Sequence, residues 1–81
     1  MAPTYPAFDG ATFRAERQAA GYTAGEFALL VGRTRQTLRN YEAGRSRPDR
    51  RTVECIARVL RIDYRIFYGG RDPWADRRAS P

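Results

Sequence analysis

The stretch YTAGEFALLVGRTRQTLRNYEAG, residues 22–44, decides the fold. Thr23 and Glu26 have the spacing of a capping box, in which each side chain bonds the backbone N–H of the other residue. Gly32 suits the left-handed conformation that ends such a helix. Thr34 can then cap a second helix, which the glycine closing the stretch would stop. The stretch therefore predicts two short helices joined by a tight turn.

The flanking sequence contains the same kinds of residues that begin and end helices. Asp9 can cap a first helix that runs to about Ala20, with Gly21 directly after it. Asp49 can cap a fourth helix and Asp63 a short fifth one. No segment alternates polar and apolar residues for long enough to predict a strand. We therefore expect an all-α fold, a compact bundle of five short helices.

With 81 residues, the chain has room for one domain. Residues 1–8 contain two prolines and are expected to form a flexible arm. Residues 9–68 hold the five helices. Residues 69–81 begin with two glycines and form a tail that is either disordered or takes part in dimerisation.

Apolar residues at helical spacing predict one shared core. Ala28 is small, which lets the two central helices approach each other closely. The expected core residues are Phe13, Ala20, Tyr22, Phe27, Ala28, Val31, Leu38, Tyr41, Val53, Ile56, Ala57, Leu60, Ile62 and Phe67.

The chain is strongly basic, with a formal net charge of +6 from 15 basic and nine acidic residues. All the basic residues are arginines, whose planar guanidinium bonds phosphates and guanine edges bidentately. Basic domains of this kind bind nucleic acid most often, and acidic proteins or anionic membranes less often. Arginine can equally serve solubility alone, so composition by itself leaves both interpretations open.

Several function classes find no support in the sequence. The only cysteine, Cys55, cannot form an intramolecular disulfide or a cysteine zinc cage, and it suits a reducing cytosol. The chain has no histidine and no triad, metal or phosphate-loop pattern. No apolar stretch approaches the roughly 20 residues of a membrane span, and the N-terminus does not look like a signal peptide. We expect a cytoplasmic protein of a bacterial cell or infected host, not an enzyme, without cofactor or metal.

A series of residues in order along the chain resembles the Cro and repressor type helix-turn-helix family, also called the xenobiotic-response-element family. The resemblance covers about residues 11–68, and the family consists of small phage and bacterial transcriptional regulators. It implies a lambda-repressor-like DNA-binding domain at residues 9–68, with the third helix, about 35–43, in the major groove. The residues that carry it are Arg17, Gly21, Thr23, Glu26, Ala28, Val31, Gly32, Thr34, Leu38, Tyr41, Glu42, Gly44, Pro48, Ala57, Leu60 and Phe67.

The resemblance also implies roles for individual polar residues, although a solvated polar helix face is the alternative for most of them. It implies a structural ion pair between Arg17 and Glu42. Base contacts fall on Arg35, Gln36, Thr37 and Arg39, of which Arg39 reaches either a base or a phosphate. DNA backbone contacts fall on Arg33, Thr34, Asn40, Arg45, Ser46, Arg47 and Arg50.

Two departures from the family pattern stand out. Many family members have glutamine at the start of the second helix, where this chain has Ala24. Many also have glycine where this chain has Arg61, a position at which a left-handed backbone would disfavour a side chain.

The expected partners are double-stranded DNA and a second copy of the chain, bound together at a palindromic operator. The short fifth helix, Tyr64 to Tyr68, is too apolar to bury every side chain inward. Its outward residues Ile66 and Tyr68, with Trp74 of the tail, are the dimer-interface candidates.

Leu29 and Leu30 support an alternative function. They lie on or near the outer side of the second helix, where the family usually has polar residues. Either the first helix or the arm, through Tyr5 and Phe8, covers them, or they bind a protein partner. The second case fits a protein-interaction module of the same fold, such as an antitoxin or a phage-encoded inhibitor.

Overall fold

The computed structural model describes residues 7–75, which form four α-helices and one 3-10 helix. The helices are α1 (Gly10–Ala19), α2 (Ala24–Val31), α3 (Arg35–Ala43), α4 (Arg50–Leu60) and the 3-10 helix (Tyr64–Tyr68). No strand occurs within these described residues. The all-α fold is confirmed, and the predicted fifth helix has the tighter 3-10 geometry. None of the helices in residues 7–75 is long and apolar enough to cross a membrane.

Side chains cap the start of every α-helix. The Asp9 and Asp49 carboxylates accept the backbone N–H groups of Thr12 and Thr52 at 3.1 and 2.9 Å. Thr34 accepts from the third residue of α3 in the same way. Hydrogen bonds from Thr12 and from Thr52 lower the pKa of Asp9 and of Asp49 below their ordinary values. These capping bonds set the boundaries at which the helices begin.

The capping box at the start of α2 is complete. Thr23 accepts the Glu26 backbone N–H at 3.1 Å, and Glu26 accepts the Thr23 backbone N–H at 2.9 Å. The ring of Tyr22, just before the cap, packs edge-on to Phe27 with centroids 5.5 Å apart. The capping box matches the sequence prediction, and the ring contact is a hydrophobic staple. Together they fix the angle at which the chain enters α2.

Left-handed residues end the helices. Gly32 ends α2 at φ 69° and Gly44 ends α3 at φ 77°. Arg61 ends α4 at φ 58° and is the one residue other than glycine with a positive φ in residues 7–75. The backbone thus has the conformation that makes glycine common here in the family, at a cost of about 1–2 kcal/mol for a side chain.

The core is confirmed for most of the predicted residues. Tyr22, Leu60 and Ile62 are half-buried at its edge. Ala20 is exposed, and its placement in the core was wrong. The reason is that α1 ends at Ala19, so Ala20 lies beyond the last turn that packs. The buried members are Phe13, Phe27, Ala28, Val31, Leu38, Tyr41, Val53, Ile56, Ala57 and Phe67.

Phe8 belongs to the core, although the sequence placed it in a flexible arm. It is buried, and its ring lies 5.1 Å from Phe67 and 5.9 Å from Phe13 between centroids. The contact with Phe13 is a hydrophobic staple around the Asp9 cap. The Asp9 N–H also donates to the Phe67 carbonyl at 2.8 Å. Residues 1–6 of the predicted arm and 76–81 of the predicted tail lie outside the described residues.

The structure corrects the expected outward face of the fifth helix. Tyr68 is buried, because Phe8 and Trp74 pack on either side of it with ring centroids 5.9 and 5.5 Å away. Trp74 is half-buried against the same protomer. Of the three dimer-interface candidates, Ile66 alone is exposed in the protomer, at 37%.

Leu29 and Leu30 are exposed at 84% and 52%. The idea that the first helix or Phe8 covers them is wrong, because α2 turns Phe27, Ala28 and Val31 inward. Tyr5, the other residue expected to cover them, lies outside the described residues.

Candidate nucleic-acid interface

Helix α3 has one buried face and one polar face. Leu38 and Tyr41 anchor it in the core. Arg35, Gln36 and Arg39 are exposed on the opposite side. Thr37 and Asn40 are half-buried beside them. The structure therefore leaves three of the four residues predicted to contact bases exposed on one anchored helix, with the fourth, Thr37, half-buried beside them.

Gln36 and Asn40 are joined along this polar face. The Gln36 Nε2 donates to the Asn40 Oδ1 at 3.2 Å, one helical turn away. A glutamine amide has two N–H donors and one oxygen acceptor. The bond to Asn40 thus leaves the Gln36 oxygen and its second N–H for another ligand.

The hydroxyl groups at the start of α3 are already engaged with each other. Thr34 Oγ1 accepts the Thr37 N–H at 3.1 Å and donates to Thr37 Oγ1 at 3.0 Å. Thr34 is therefore first of all the helix cap.

An ion pair holds α3 against α1. Arg17 Nε donates to Glu42 Oε2 at 2.8 Å, and the side chains are only 8% and 11% exposed. Arg17 Nη1 also donates to the Tyr22 carbonyl at 2.7 Å. The ion pair implied by the family resemblance is confirmed. It joins α1, the start of α2 and the C-terminal end of α3 at one point.

A basic groove lies beside Gln36, between α1, the start of α2 and α3. Four arginines and one carboxylate line it, and that carboxylate, Glu42, is already paired with Arg17. The groove is therefore positively charged. Its lining residues are Arg14, Arg17, Gln18, Thr23, Ala24, Gln36, Arg39, Glu42, Ala43 and Arg45.

Arg14 is a groove residue that the sequence prediction missed. It is exposed and lies three residues before Arg17 on α1, a spacing that puts the two on neighbouring positions of one helix face. This spacing could have predicted the position of Arg14, because the resemblance already placed Arg17 beside Glu42 of the third helix. Arg14 adds a guanidinium to the groove where Ala24 adds no polar side chain.

The turn between α2 and α3 is tied to α4. Arg33 Nη2 donates to Thr52 Oγ1 at 2.8 Å, and Arg33 Nη1 donates to the Gly32 carbonyl at 3.1 Å. Thr52 is buried. Arg33 therefore braces the turn, a role that sequence reasoning did not find.

Comparison with known proteins agrees with this architecture. The sequence model of the helix-turn-helix domain family matches residues 10–64, well over half of the chain. The chain belongs to the helix-turn-helix domain family. The expected Cro and repressor type resemblance is thereby confirmed.

A solved structure has the same fold as this helix-turn-helix protein. It is the crystal structure of the P22 c2 repressor protein in complex with synthetic operator 9T in the presence of Tl+. The TM-score is 0.71 and the sequences are 16% identical, over 76% of this chain and 94% of the other. The fold is therefore lambda-repressor-like. No curated protein matches the chain.

The loop after the helix-turn-helix divides its arginines between two places. Arg45 lines the basic groove. Arg47 and Arg50 line a separate recess on the side of Trp74. Ser46 is exposed between them. The expected backbone contacts after α3 thus form two positive clusters rather than one.

Arg50 is engaged within the protomer. Its Nε lies 3.2 Å from Glu54 Oε2, and its guanidinium carbon lies 5.7 Å from the centre of the Trp74 ring. This placement ties the start of α4 to the C-terminal segment.

Proposed function

We propose that this protein is a sequence-specific, double-stranded DNA-binding transcriptional regulator, most simply a repressor. It binds a palindromic operator as a homodimer, with α3 in the major groove. The observation that carries the proposal is the exposed polar face of α3, which begins with Arg35 and Gln36 and borders a groove lined by four arginines, one of them paired with Glu42. The similar P22 c2 repressor structure, which contains an operator, supports this docking.

Base recognition is assigned to the first exposed residues of α3. Arg35 can bond guanine O6 and N7 together. Gln36 can bond adenine N6 and N7, using the oxygen and N–H that its bond to Asn40 leaves available. The Thr37 methyl group can contact a thymine methyl, while Arg39 reaches a base or a phosphate. Asn40 then contributes by orienting Gln36 as well as by contacting the backbone.

Phosphate binding is assigned to the two positive clusters. Arg14 and Arg45 line the groove beside α3, and Arg47 lines the separate recess. Thr34, Ser46, Arg33 and Arg50 complete the set of backbone contacts. Such contacts fix the position of the protein on the duplex and carry no sequence information.

Dimerisation places two copies of α3 on half-sites one duplex turn apart, roughly 34 Å. One helix reads only a few base pairs, so two copies give the recognition of a longer operator. Because Tyr68 and Trp74 pack within the protomer, we assign the exposed Ile66 as the apolar residue at the dimer contact.

Repression by occlusion fits the outer side of α2 better than activation does. Glu26, the acidic residue of this helix, is engaged in the capping box. Leu29 and Leu30 occupy the exposed positions instead. The helix thus offers no acidic patch for a contact with RNA polymerase.

Substitutions in α3 and in the loop after it should distinguish base recognition from phosphate binding. We expect Gln36→Ala to cost about 1–3 kcal/mol at an operator selected from a random DNA pool, and to relax preference at one or two base pairs. Arg45→Ala should weaken operator and random DNA alike and lower the salt slope of binding by about one. Fluorescence anisotropy on both duplexes at several salt concentrations measures these effects.

Arg58→Ala is the matched control for these variants. It removes the same charge from the last turn of α4, roughly 12 Å along the helix from Arg50. It should lower the salt slope less than Arg45→Ala does. Equal losses on operator and random DNA for Gln36→Ala would contradict the assignment of base recognition.

A second candidate function is a protein-interaction module. The 84% exposure of Leu29 beside the half-exposed Leu30 favours it. Such leucines leave apolar surface in water that a partner would cover. With the basic charge of this chain, the matching partner is an acidic protein.

Substituting both leucines by glutamate tests this candidate. Because the side chains are exposed, we expect the free energy of unfolding to change by no more than about 1 kcal/mol. The expected result is a folded, DNA-binding variant that loses a stoichiometric partner recovered by the wild type. The double substitution by glutamine separates the loss of apolar surface from the added charge. An unfolded variant would show that the leucines are core, and unchanged partner recovery would remove this candidate.

A further inference from the structure

The C-terminal strap, residues 69–75, folds back from the 3-10 helix onto the start of α4. The Gly70 N–H donates to the Arg65 carbonyl at 2.8 Å. Asp72 accepts from the Tyr64 hydroxyl at 2.8 Å and from the Trp74 backbone N–H at 3.0 Å. These bonds fix where the strap places the Trp74 ring.

The Trp74 ring connects the strap to α4. Its centroid lies 5.5 Å from those of Tyr64 and Tyr68, both in edge-on geometry. The Arg50 guanidinium lies over the same ring at 5.7 Å. A guanidinium over an indole face is held by the electrostatic attraction of the ring, and indole is the strongest aromatic partner for it.

The ring also forms one wall of a recess beneath the loop that follows α3. Arg47, Pro48, Asp49 and Arg50 form the loop side of this recess. Phe8, Tyr68, Pro73 and Trp74 complete its lining. Pro48 and Pro73 are buried. The junction between the loop and α4 therefore shares this recess with an aromatic surface to which the strap contributes Trp74, and Arg50 contacts that ring directly.

We propose that Trp74 is a positioning residue for DNA backbone binding: the strap uses its ring to seat Arg47 and Arg50 where they meet phosphates. This inference rests on the proposed DNA binding. Without the indole, the recess beside Pro48 widens and the Arg50 guanidinium keeps only its half-exposed pair with Glu54. The Arg47 and Arg50 side chains then sample more conformations. Ordering them on DNA costs conformational entropy, which lowers the affinity.

The test measures binding of the full-length chain to operator and random duplexes across a range of salt concentrations. We expect Trp74→Ala to weaken binding to both duplexes by about five- to tenfold near 0.1 M salt and to lower the salt slope by about one, as the loss of one phosphate contact does. Trp74→Phe keeps an aromatic wall and should retain most of the affinity and the slope. Circular dichroism and sedimentation check that the variants stay folded and keep the wild-type oligomeric state.

The double variant Arg47→Ala/Arg50→Ala tests whether the effect acts through these arginines. In that background, Trp74→Ala should change neither the affinity nor the salt slope further. A Trp74→Ala protein with wild-type slope, or a further loss in the double-variant background, overturns the proposal. So does a change in oligomeric state that accounts for the lost affinity.

Tyr64→Phe provides a second variant in case Trp74→Ala does not fold. It removes the hydrogen bond to Asp72 that anchors the strap, and it keeps the aromatic ring that packs against Trp74. A smaller loss of affinity with a smaller reduction in the salt slope supports the proposal, and unchanged binding counts against it. If the wild-type chain binds no DNA, the proposed function itself fails. If the wild-type chain binds DNA and the Trp74 and Tyr64 variants bind it equally well, only the proposal for the strap fails.

Discussion

Replacing Gly10 with alanine should destabilise the protein by about 2–3 kcal/mol, even though alanine favours helices over glycine by up to about 1 kcal/mol. A Cβ at this position would lie 2.3 Å from the Tyr41 carbonyl oxygen and 2.5 Å from that of Glu42. Both oxygens belong to backbone that cannot rotate away, so α1 and the end of α3 must move apart. A melting temperature about 10–20 °C lower, measured by circular dichroism, is the expected result.

Gly25 provides the matched control for this substitution. It also lies in the first turn of a helix, but the nearest atom to an added Cβ is the Arg35 Cδ at 4.0 Å, an ordinary contact. Gly25→Ala should therefore raise stability by about 0.5 kcal/mol, through the lower entropy of the unfolded chain. If Gly10→Ala and Gly25→Ala had the same melting temperature, the close approach of α1 to α3 would not require glycine at position 10.

The second large effect is expected at the ion pair between Arg17 and Glu42. Glu42→Ala leaves the nearly buried Arg17 guanidinium without its carboxylate, and the bond to the Tyr22 carbonyl cannot neutralise its charge. We expect a loss of about 3 kcal/mol in the free energy of unfolding, at the lower end for a broken buried pair because both side chains retain some exposure. Urea denaturation measures it.

A double variant without either charge and a surface ion pair make this prediction specific. Arg17→Met/Glu42→Leu removes both charges and should lose less stability than Glu42→Ala alone. Glu54→Ala removes the partner of Arg50 in a pair that is 53% and 41% exposed, and should cost no more than about 0.5 kcal/mol. Similar losses for Glu42→Ala and Glu54→Ala would mean that the Arg17 pair contributes no more than a surface contact.

Both large effects fall on the contact between α1 and α3, which also orients the exposed polar face of α3. Because Arg17 and Gly10 lie on the same buried side of α1, either change shifts α3 relative to the groove. DNA affinity should therefore fall along with stability.

The helix boundaries were predictable from the sequence because their causes are local. The Asp9, Thr23, Thr34 and Asp49 caps bond a residue three positions along, so the sequence carries both partners of each bond. The polar face of α3 was predictable for the same reason, since helical periodicity alone separates Leu38 and Tyr41 from the residues between them.

The Arg17–Glu42 pair joins residues distant in sequence, and it was predictable only through the family resemblance. Composition and periodicity carry no information on which of fifteen arginines meets that carboxylate. The observed 2.8 Å contact shows that the family arrangement is kept in this chain.

Other features were decided by the tertiary structure alone. No sequence pattern singles out Gly10, because the need for glycine comes from two backbone carbonyl groups of α3. The sequence predicts that Arg33 faces phosphate or solvent. Its 2.8 Å hydrogen bond to Thr52 depends on where α4 packs. The sequence predicts that Tyr68 faces outward. In the structure it is buried, because Phe8 and Trp74 pack against it. In each case at least one deciding atom comes from a distant part of the chain, so its position depends on how the helices pack and not on local preference alone.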